Sequence, residues 1–356
     1  MVDLKSIGYN ETIDKEFESF KTQGFEIGRI SAENKNNYLV LTKHGEVYGE
    51  ITGKLLFNSD DASTLPKVGD WVAIQLYDNN ELAIIHDILP RRTKLSRKVA
   101  DRKTSEQVIA ANIDVVFIVH SLDERFNING IERYLVTAYQ SGAEPVIILS
   151  KSDLCDDVEN KLAQVKKISG NAKVLPISSI EHAGIDEVKQ FFGDGETVVF
   201  VGASGAGKST LINALLGKDL QVVKEVRIGD SKGKHTTTRR ELIVFPEGGL
   251  LIDTPGLREL ALWSSDNGFA VAFSEIETFG KECRYADCTH THETNCAVKD
   301  AVASGQIPEE QYKNYLKLRK ELEYLERRQD VNAAQEERRK WRSIHKELKH
   351  FNKRNK

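Results

Sequence analysis

The sequence predicts a multidomain α/β protein from three observations. Five short alternating segments fill the stretch from Phe25 to about Leu89, apolar strand-like runs then alternate with helical patterns, and cysteines and histidines gather after residue 280. At 356 residues the chain exceeds what one hydrophobic core usually serves. With 40% hydrophobic and 29% charged residues it has the balance of a globular protein. It shows neither a basic-then-apolar leader nor a run of 18 apolar residues. The expectation is a cytoplasmic chain without membrane contact. Three of its four cysteines fall between Cys283 and Cys296, which points to metal rather than disulfides.

Residues 1–23 read as a polar leader with an amphipathic helix around Thr12 to Phe20. The segments Glu26 to Ile30, Tyr38 to Thr42, Glu46 to Leu56, Trp71 to Leu76 and Glu81 to Ile88 alternate as strands do, and five of them suggest a small closed barrel such as an OB-fold over residues 24–98. Such barrels commonly bind RNA or single strands, or pack as structural modules. Arg91 to Lys103 carries seven Lys/Arg against Asp101 alone, although the whole chain has a net charge of only −4. Strand candidates then follow at Val115 to Val119, Pro145 to Leu149, Ala172 to Ile177, Thr197 to Val201, Glu241 to Phe245 and Gly249 to Ile252. Their alternation with helices predicts a mostly parallel sheet covered on both faces, with ligands at the carboxyl ends of the strands.

One such end carries Gly202-Ala203-Ser204-Gly205-Ala206-Gly207-Lys208-Ser209-Thr210, between an apolar strand and a helix-like Leu211 to Leu216. This is the context a phosphate-binding loop requires. Its glycines let successive N–H groups face phosphate oxygens, Lys208 supplies a cation for the outer phosphates, and the Ser209 hydroxyl is a Mg²⁺ ligand. The loop alone does not choose between ATP and GTP. Asp253, ending another apolar strand in Asp253-Thr254-Pro255-Gly256, is placed to hold Mg²⁺ through water, and the Gly256 N–H to meet a γ-phosphate. Between the two lies Gly233-Lys234-His235-Thr236-Thr237-Thr238-Arg239, where a hydroxyl of Thr237 or Thr238 could complete the Mg²⁺ shell and make the loop a switch.

Ser150-Lys151-Ser152-Asp153, at the end of the Pro145 to Leu149 strand, is similar to the Asn-Lys-x-Asp guanine motif of Ras-like GTPases, with serine in place of asparagine. A carboxylate at Asp153 accepts two hydrogen bonds from guanine that adenine cannot offer. Ser178 and Ser179 resemble the loop that supports the guanine carbonyl. These guanine motifs precede the phosphate loop, the order of a circular permutation. With a leading barrel and a trailing Cys/His cluster, the chain resembles the RsgA (YjeQ-like) family over about residues 24–340. Val68-Gly69-Asp70-Trp71-Val72, Ala110-Ala111-Asn112-Ile113-Asp114 and Lys234-His235-Thr236-Thr237-Thr238 carry the resemblance as well. It implies a GTP hydrolase with a permuted P-loop GTPase domain over 99–272. It also implies binding to the small ribosomal subunit and its rRNA, a role in late maturation of that subunit, and hydrolysis stimulated by it.

Ras-like enzymes orient the attacking water with a glutamine where this chain has Leu257. Slow intrinsic hydrolysis is therefore expected, with His235 the candidate for positioning water and a partner's group or a monovalent cation as rivals. Cys283, Cys288, His290 and Cys296 form the ligand set of a closed, structural zinc site in a domain over 273–356, with His292 as competing imidazole. This spacing is similar to the family's zinc motif. Tyr315, Leu318, Leu322 and Leu325 mark a helix face expected to pack on that domain. The tail from Arg338 mixes cations with Trp341, His345, His350 and Phe351, a composition suited to structured RNA. The expected assembly state is monomeric. The alternative function is a nucleotide-regulated RNA-binding assembly factor with little turnover; a P-loop ATPase is opposed by Asp153.

Overall fold

The computed structural model describes residues 2–34, 37–59, 63–98, 106–217, 240–245, 248–253 and 268–327. The chain enters through helix α1 (Glu11–Lys21), whose first N–H groups are met at 3.1 Å by the Asn10 side chain. Ile13 and Phe17 on one face of α1, with Ile7 before it, are buried in the same apolar cluster as Trp71 and Leu89. The leader is thus part of a core.

Five strands close a barrel: β1 (Glu26–Glu33), β2 (Tyr38–Thr42), β3 (Gly45–Ile51), β4 (Trp71–Tyr77) and β5 (Leu82–Ile88). β1 pairs with β2 and β2 with β3, β3 runs parallel to β5, β5 pairs with β4, and β4 returns to β1. This is the five-stranded closure of the OB type. The strand expected to run to Leu56 stops at Ile51, and Gly53–Asn58 form helix α2. The Thr52 hydroxyl accepts the Leu55 N–H at 3.1 Å, and this cap turns the chain into a helix despite the alternation before it.

An antiparallel ribbon of β6 (Lys94–Lys98) and β7 (Glu106–Ala111) leads to the main sheet. The sheet contains β8 (Val115–Ser121), β9 (Glu144–Ser150), β10 (Lys173–Pro176), β11 (Thr197–Val201), β12 (Glu241–Val244) and β13 (Leu250–Asp253). Its order is β10-β9-β8-β11-β13-β12, parallel except for β12. Successive residues of β8 serve opposite faces. Val116 and Ile118 join Ile131, Leu135 and Val165 of helices α3 (Ile128–Ser141) and α4 (Val158–Ile168). Val115, Phe117 and Val119 join Ile185, Leu211 and Leu215 of α5 (Ile185–Lys189) and α6 (Lys208–Leu216).

The barrel and the sheet meet around Arg29, which is 1% exposed. Its guanidinium donates to the Ile7, Gly69 and Asn112 carbonyls at 2.6, 3.2 and 3.1 Å and to the Thr197 hydroxyl at 2.9 Å. The segments 68–72 and 110–114 touch directly here: Ala111 N–H donates to the Val68 carbonyl at 3.0 Å and the Asn112 amide to the Gly69 carbonyl at 3.1 Å. A side chain at position 69 would put its Cβ 2.1 Å from the Ala111 oxygen, so only glycine fits. At the other end of the chain, α7 (Gly268–Ala272), α8 (Ser274–Gly280), α9 (Ala297–Ala303) and a helix α10, described over 309–327, surround Phe273, Ile276, Val298, Tyr315, Leu318, Leu322 and Leu325. This unit meets α3, where Asn314 donates to Glu132 at 2.6 Å and Arg133 pairs with Glu321.

Candidate nucleotide-binding site

The carboxyl ends of β8, β9 and β11 bring three loops together. Gly202 leaves β11 at φ +140°, and a Cβ there would stand 2.1 Å from the Val119 carbonyl of β8, so the turn needs glycine. Lys208 begins α6 and folds back, its ammonium donating to the Gly202 and Ala203 carbonyls at 2.7 and 2.8 Å. Ser209 and Thr210 lie exposed in the first helical turn. The Ser150 hydroxyl, at the end of β9, donates to the Ala206 carbonyl at 2.5 Å. Serine at the position of the motif's asparagine therefore ties the β9 loop to the phosphate loop.

Lys151 adopts the left-handed region at φ +60° and its ammonium lies 2.9 Å from Asp123. Ser152 donates its N–H to the Ile177 carbonyl at 3.0 Å, which fixes the β9 loop against the loop after β10. Asp153 is half-buried, and among the described residues its carboxylate has no hydrogen-bond or ion-pair partner. Ser178 is buried and its N–H is committed to the Ala183 carbonyl at 3.0 Å; Ser179, next to it, is half-buried. Asp253 ends β13 with its backbone paired to Glu241 of β12. His235, Thr236, Thr237, Thr238, Gly256, Leu257 and the tail from Arg338 lie outside the described residues.

Two residues here escaped the sequence reading. Arg125, between β8 and α3, reaches the phosphate loop and donates to the Ser204 and Gly205 carbonyls at 3.4 and 3.2 Å. Asp123 holds it at 2.5 Å and also accepts from Ser121 and Lys151. The Arg125 guanidinium, followed by Lys151 and Ser121, keeps the Asp123 carboxyl far below the usual range. The available signal was Leu122-Asp123-Glu124-Arg125, a charged turn at the carboxyl end of a buried strand.

In the C-terminal unit, ligand atoms of Cys283, Cys288, His290 and Cys296 all lie within 4.8 Å of one another. Nδ1 of His290 is 3.5 and 3.4 Å from the sulfurs of Cys283 and Cys296, which are 3.8 Å apart. A tetrahedral zinc with bonds of ~2.0–2.3 Å requires edges close to these lengths. His290 is turned inward at φ +62°, its carbonyl held by the Tyr312 hydroxyl at 2.5 Å, whereas His292 is exposed and outside the cluster. No helix among the described residues is long and apolar enough to cross a membrane.

A family model described as RsgA GTPase matches residues 88–263. A second, described as ABC transporter, matches 185–354; both include the phosphate loop, but Asp153 falls only within the first. A protein of Opitutus terrae named small ribosomal subunit biogenesis GTPase RsgA is 40% identical over 351 residues, 96% of each chain. A protein of the same name from Methanosarcina acetivorans is 39% identical over 346 residues, 97% of this chain and 92% of its own. The crystal structure of YjeQ from Thermotoga maritima superposes with a TM-score of 0.64 at 28% identity, over 84% of this chain and 98% of that one. YloQ, titled a circularly permuted GTPase, superposes with a TM-score of 0.61 over 84% and 95%; at 23% identity it speaks for the fold alone. With a permuted sheet order, a leading barrel, a Cys₃His cluster and full-length relatives near 40% identity, this chain belongs to the RsgA GTPase family.

Proposed function

We propose that this protein binds and hydrolyses GTP and acts in maturation of the small ribosomal subunit, the role stated in the names of its relatives. The observation that carries the nucleotide assignment is Asp153. Its carboxylate is left without a partner among the described residues, on a loop that Ser150 joins to the phosphate loop. In this reading Lys151 covers one face of guanine, Asp153 accepts from its ring N–H and amine, and Ser152, Ser178 and Ser179 shape the rim. Residues Gly202 to Thr210 wrap the phosphates. Lys208 leaves the Gly202 and Ala203 carbonyls for the outer phosphates as nucleotide arrives. Ser209, Asp253 and Thr237 are assigned to Mg²⁺, which when bound neutralises charge on the β- and γ-phosphates. Gly256 is assigned to the γ-phosphate, and His235 to orienting water in place of the glutamine that Leu257 replaces.

Cys283, Cys288, His290 and Cys296 are assigned to one structural zinc, which organises the C-terminal unit and leaves no coordination position for chemistry. The division into a leader (1–23), barrel (24–98), GTPase domain (99–272) and zinc domain with basic tail (273–356) belongs to the same proposal, although the β6–β7 ribbon crosses the 98/99 boundary. So do the rRNA partner, a cytoplasmic location and a monomeric state.

The test is a nucleotide switch. Xanthine presents an oxygen where guanine presents an amine, so Asp153→Asn should weaken GTP binding by about 100-fold or more and create binding of xanthosine triphosphate. Unchanged GTP affinity in this variant, or ATP bound as tightly as GTP by the native protein, would remove the assignment.

A further inference from the structure

The phosphate loop presents five successive carbonyls, and three side chains satisfy all of them. Lys208 takes those of Gly202 and Ala203, Arg125 those of Ser204 and Gly205, and Ser150 that of Ala206. The carbonyl and N–H of one peptide plane point in opposite directions, so holding the Ser204 carbonyl outward turns the Gly205 N–H inward. The Lys208 bonds cannot persist in the assigned role, because its ammonium must turn to the phosphates. Arg125 and Ser150 hold the loop from outside and face no such conflict.

Arg125 itself is well anchored. Its Nη2 lies 2.5 Å and its Nε 3.3 Å from Asp123, whose carboxylate also accepts the Arg125 N–H at 3.0 Å. The segment around it is pinned at both ends. Leu122 N–H donates to the Ser150 carbonyl at 2.9 Å, and Asn127 N–H donates to Nε2 of buried His120 at 2.9 Å. Asp123 reaches Lys151 as well, so one carboxylate carries a contact to the phosphate loop and another to the β9 loop.

We propose that Arg125 is a positioning residue that holds the Ser204–Gly205 crown of the phosphate loop in its anion-receiving form, acting on the β-phosphate of a guanosine di- or triphosphate without touching it. This rests on the nucleotide reading above and adds a residue to that site. It predicts a dependence on phosphate number: a nucleoside diphosphate needs the crown, whereas a monophosphate relies chiefly on the base loop.

The experiment compares GDP and GMP as competitors of a fluorescent GDP derivative on the full chain, for the native protein, Arg125→Ala and Arg125→Lys. Arg125→Ala should bind GDP about tenfold more weakly, in line with loss of charge-assisted hydrogen bonds, while GMP changes less than about twofold. Arg125→Lys, able to pair with Asp123 and reach one carbonyl, should recover part of the GDP affinity. Unchanged GDP binding, or equal losses for GDP and GMP, would overturn the proposal. Failure of the native protein to bind GDP at all would instead overturn the nucleotide reading and this inference with it.

Discussion

The sheet domain meets its two neighbours in different ways. At the barrel, a buried arginine finds four oxygen acceptors drawn from the leader, the barrel and the sheet, and lies 5.3 Å from the centre of the Trp71 ring. A second buried charge, Asp70, takes a two-point ion pair from Arg91 at 2.8 and 2.7 Å. At the zinc unit, Arg133 and Glu321 pair while half-exposed, and Glu132 is buried with one oxygen held by Asn314. Among the described residues, its other oxygen and that of Gln311 have no hydrogen-bond partner. At the first junction both buried charged groups are hydrogen-bonded or ion-paired, a network that resists change. The second leaves buried polar atoms wanting partners, which costs free energy and makes rearrangement cheaper. Among the described residues β13 is the last strand before the C-terminal unit, so if the switch loops pass nucleotide-dependent motion to that unit, as we propose, the weaker junction is the one it would meet.

The largest test of this contrast removes the zinc proposed for Cys283, Cys288, His290 and Cys296. Structural zinc sites contribute on the order of 10 kcal/mol to the folding of small domains, so a strong chelator should release one zinc per chain and unfold the C-terminal unit. The barrel and sheet should remain folded, as hydrogen exchange would record. Loss of protection in the barrel on the same timescale would erase the distinction between the junctions.

Next in size is Arg29→Ala. It strips donors from three backbone carbonyls and a hydroxyl at a buried position, and denaturant unfolding should register a loss of about 3–5 kcal/mol. Burial lowers the Arg29 pKa to about 10, and Asp114 opposes that shift. A loss below about 1 kcal/mol would show that this junction does not depend on the guanidinium.

The smallest effect belongs to Glu132. Burial pushes its carboxyl up to about 7 from the ordinary 4.5, while the Asn314 amide, with Gln311 near it, pulls the other way. The folded protein thus keeps a proton that the unfolded chain has released between these values, so stability declines as pH rises from about 4.5 to 7. The cost above pH 7 is at most about 3 kcal/mol. Glu132→Gln should flatten that slope and stabilise the zinc unit at pH 7.5, measured by thermal unfolding at several pH values. An unchanged slope would assign the titration elsewhere.

The sheet was legible because parallel strands buried on both sides, such as Val115–Ser121, read as unbroken apolar runs. The phosphate loop and the cysteine cluster were legible because their spacing is fixed by backbone geometry and by a coordination sphere. Helix α2 was misread because Leu55 and Leu56 prolonged an alternating pattern, and a single threonine cap outweighed it. Arg29 gave no signal at all: its partners are mostly backbone carbonyls, 22 to 83 residues away in sequence. Arg125 was hidden for a related reason, since a charged turn after a strand has the composition of any solvated loop while its function lies in two carbonyls of a distant segment.

The most direct measurement is turnover of GTP and of ATP by the purified protein, with and without purified small ribosomal subunits. Slow GTP hydrolysis that rises strongly with the subunit, with ATP inert, is the predicted result. GTP binding with no stimulated turnover would favour an assembly factor that hardly hydrolyses, and ATP turnover would contradict the role assigned to Asp153.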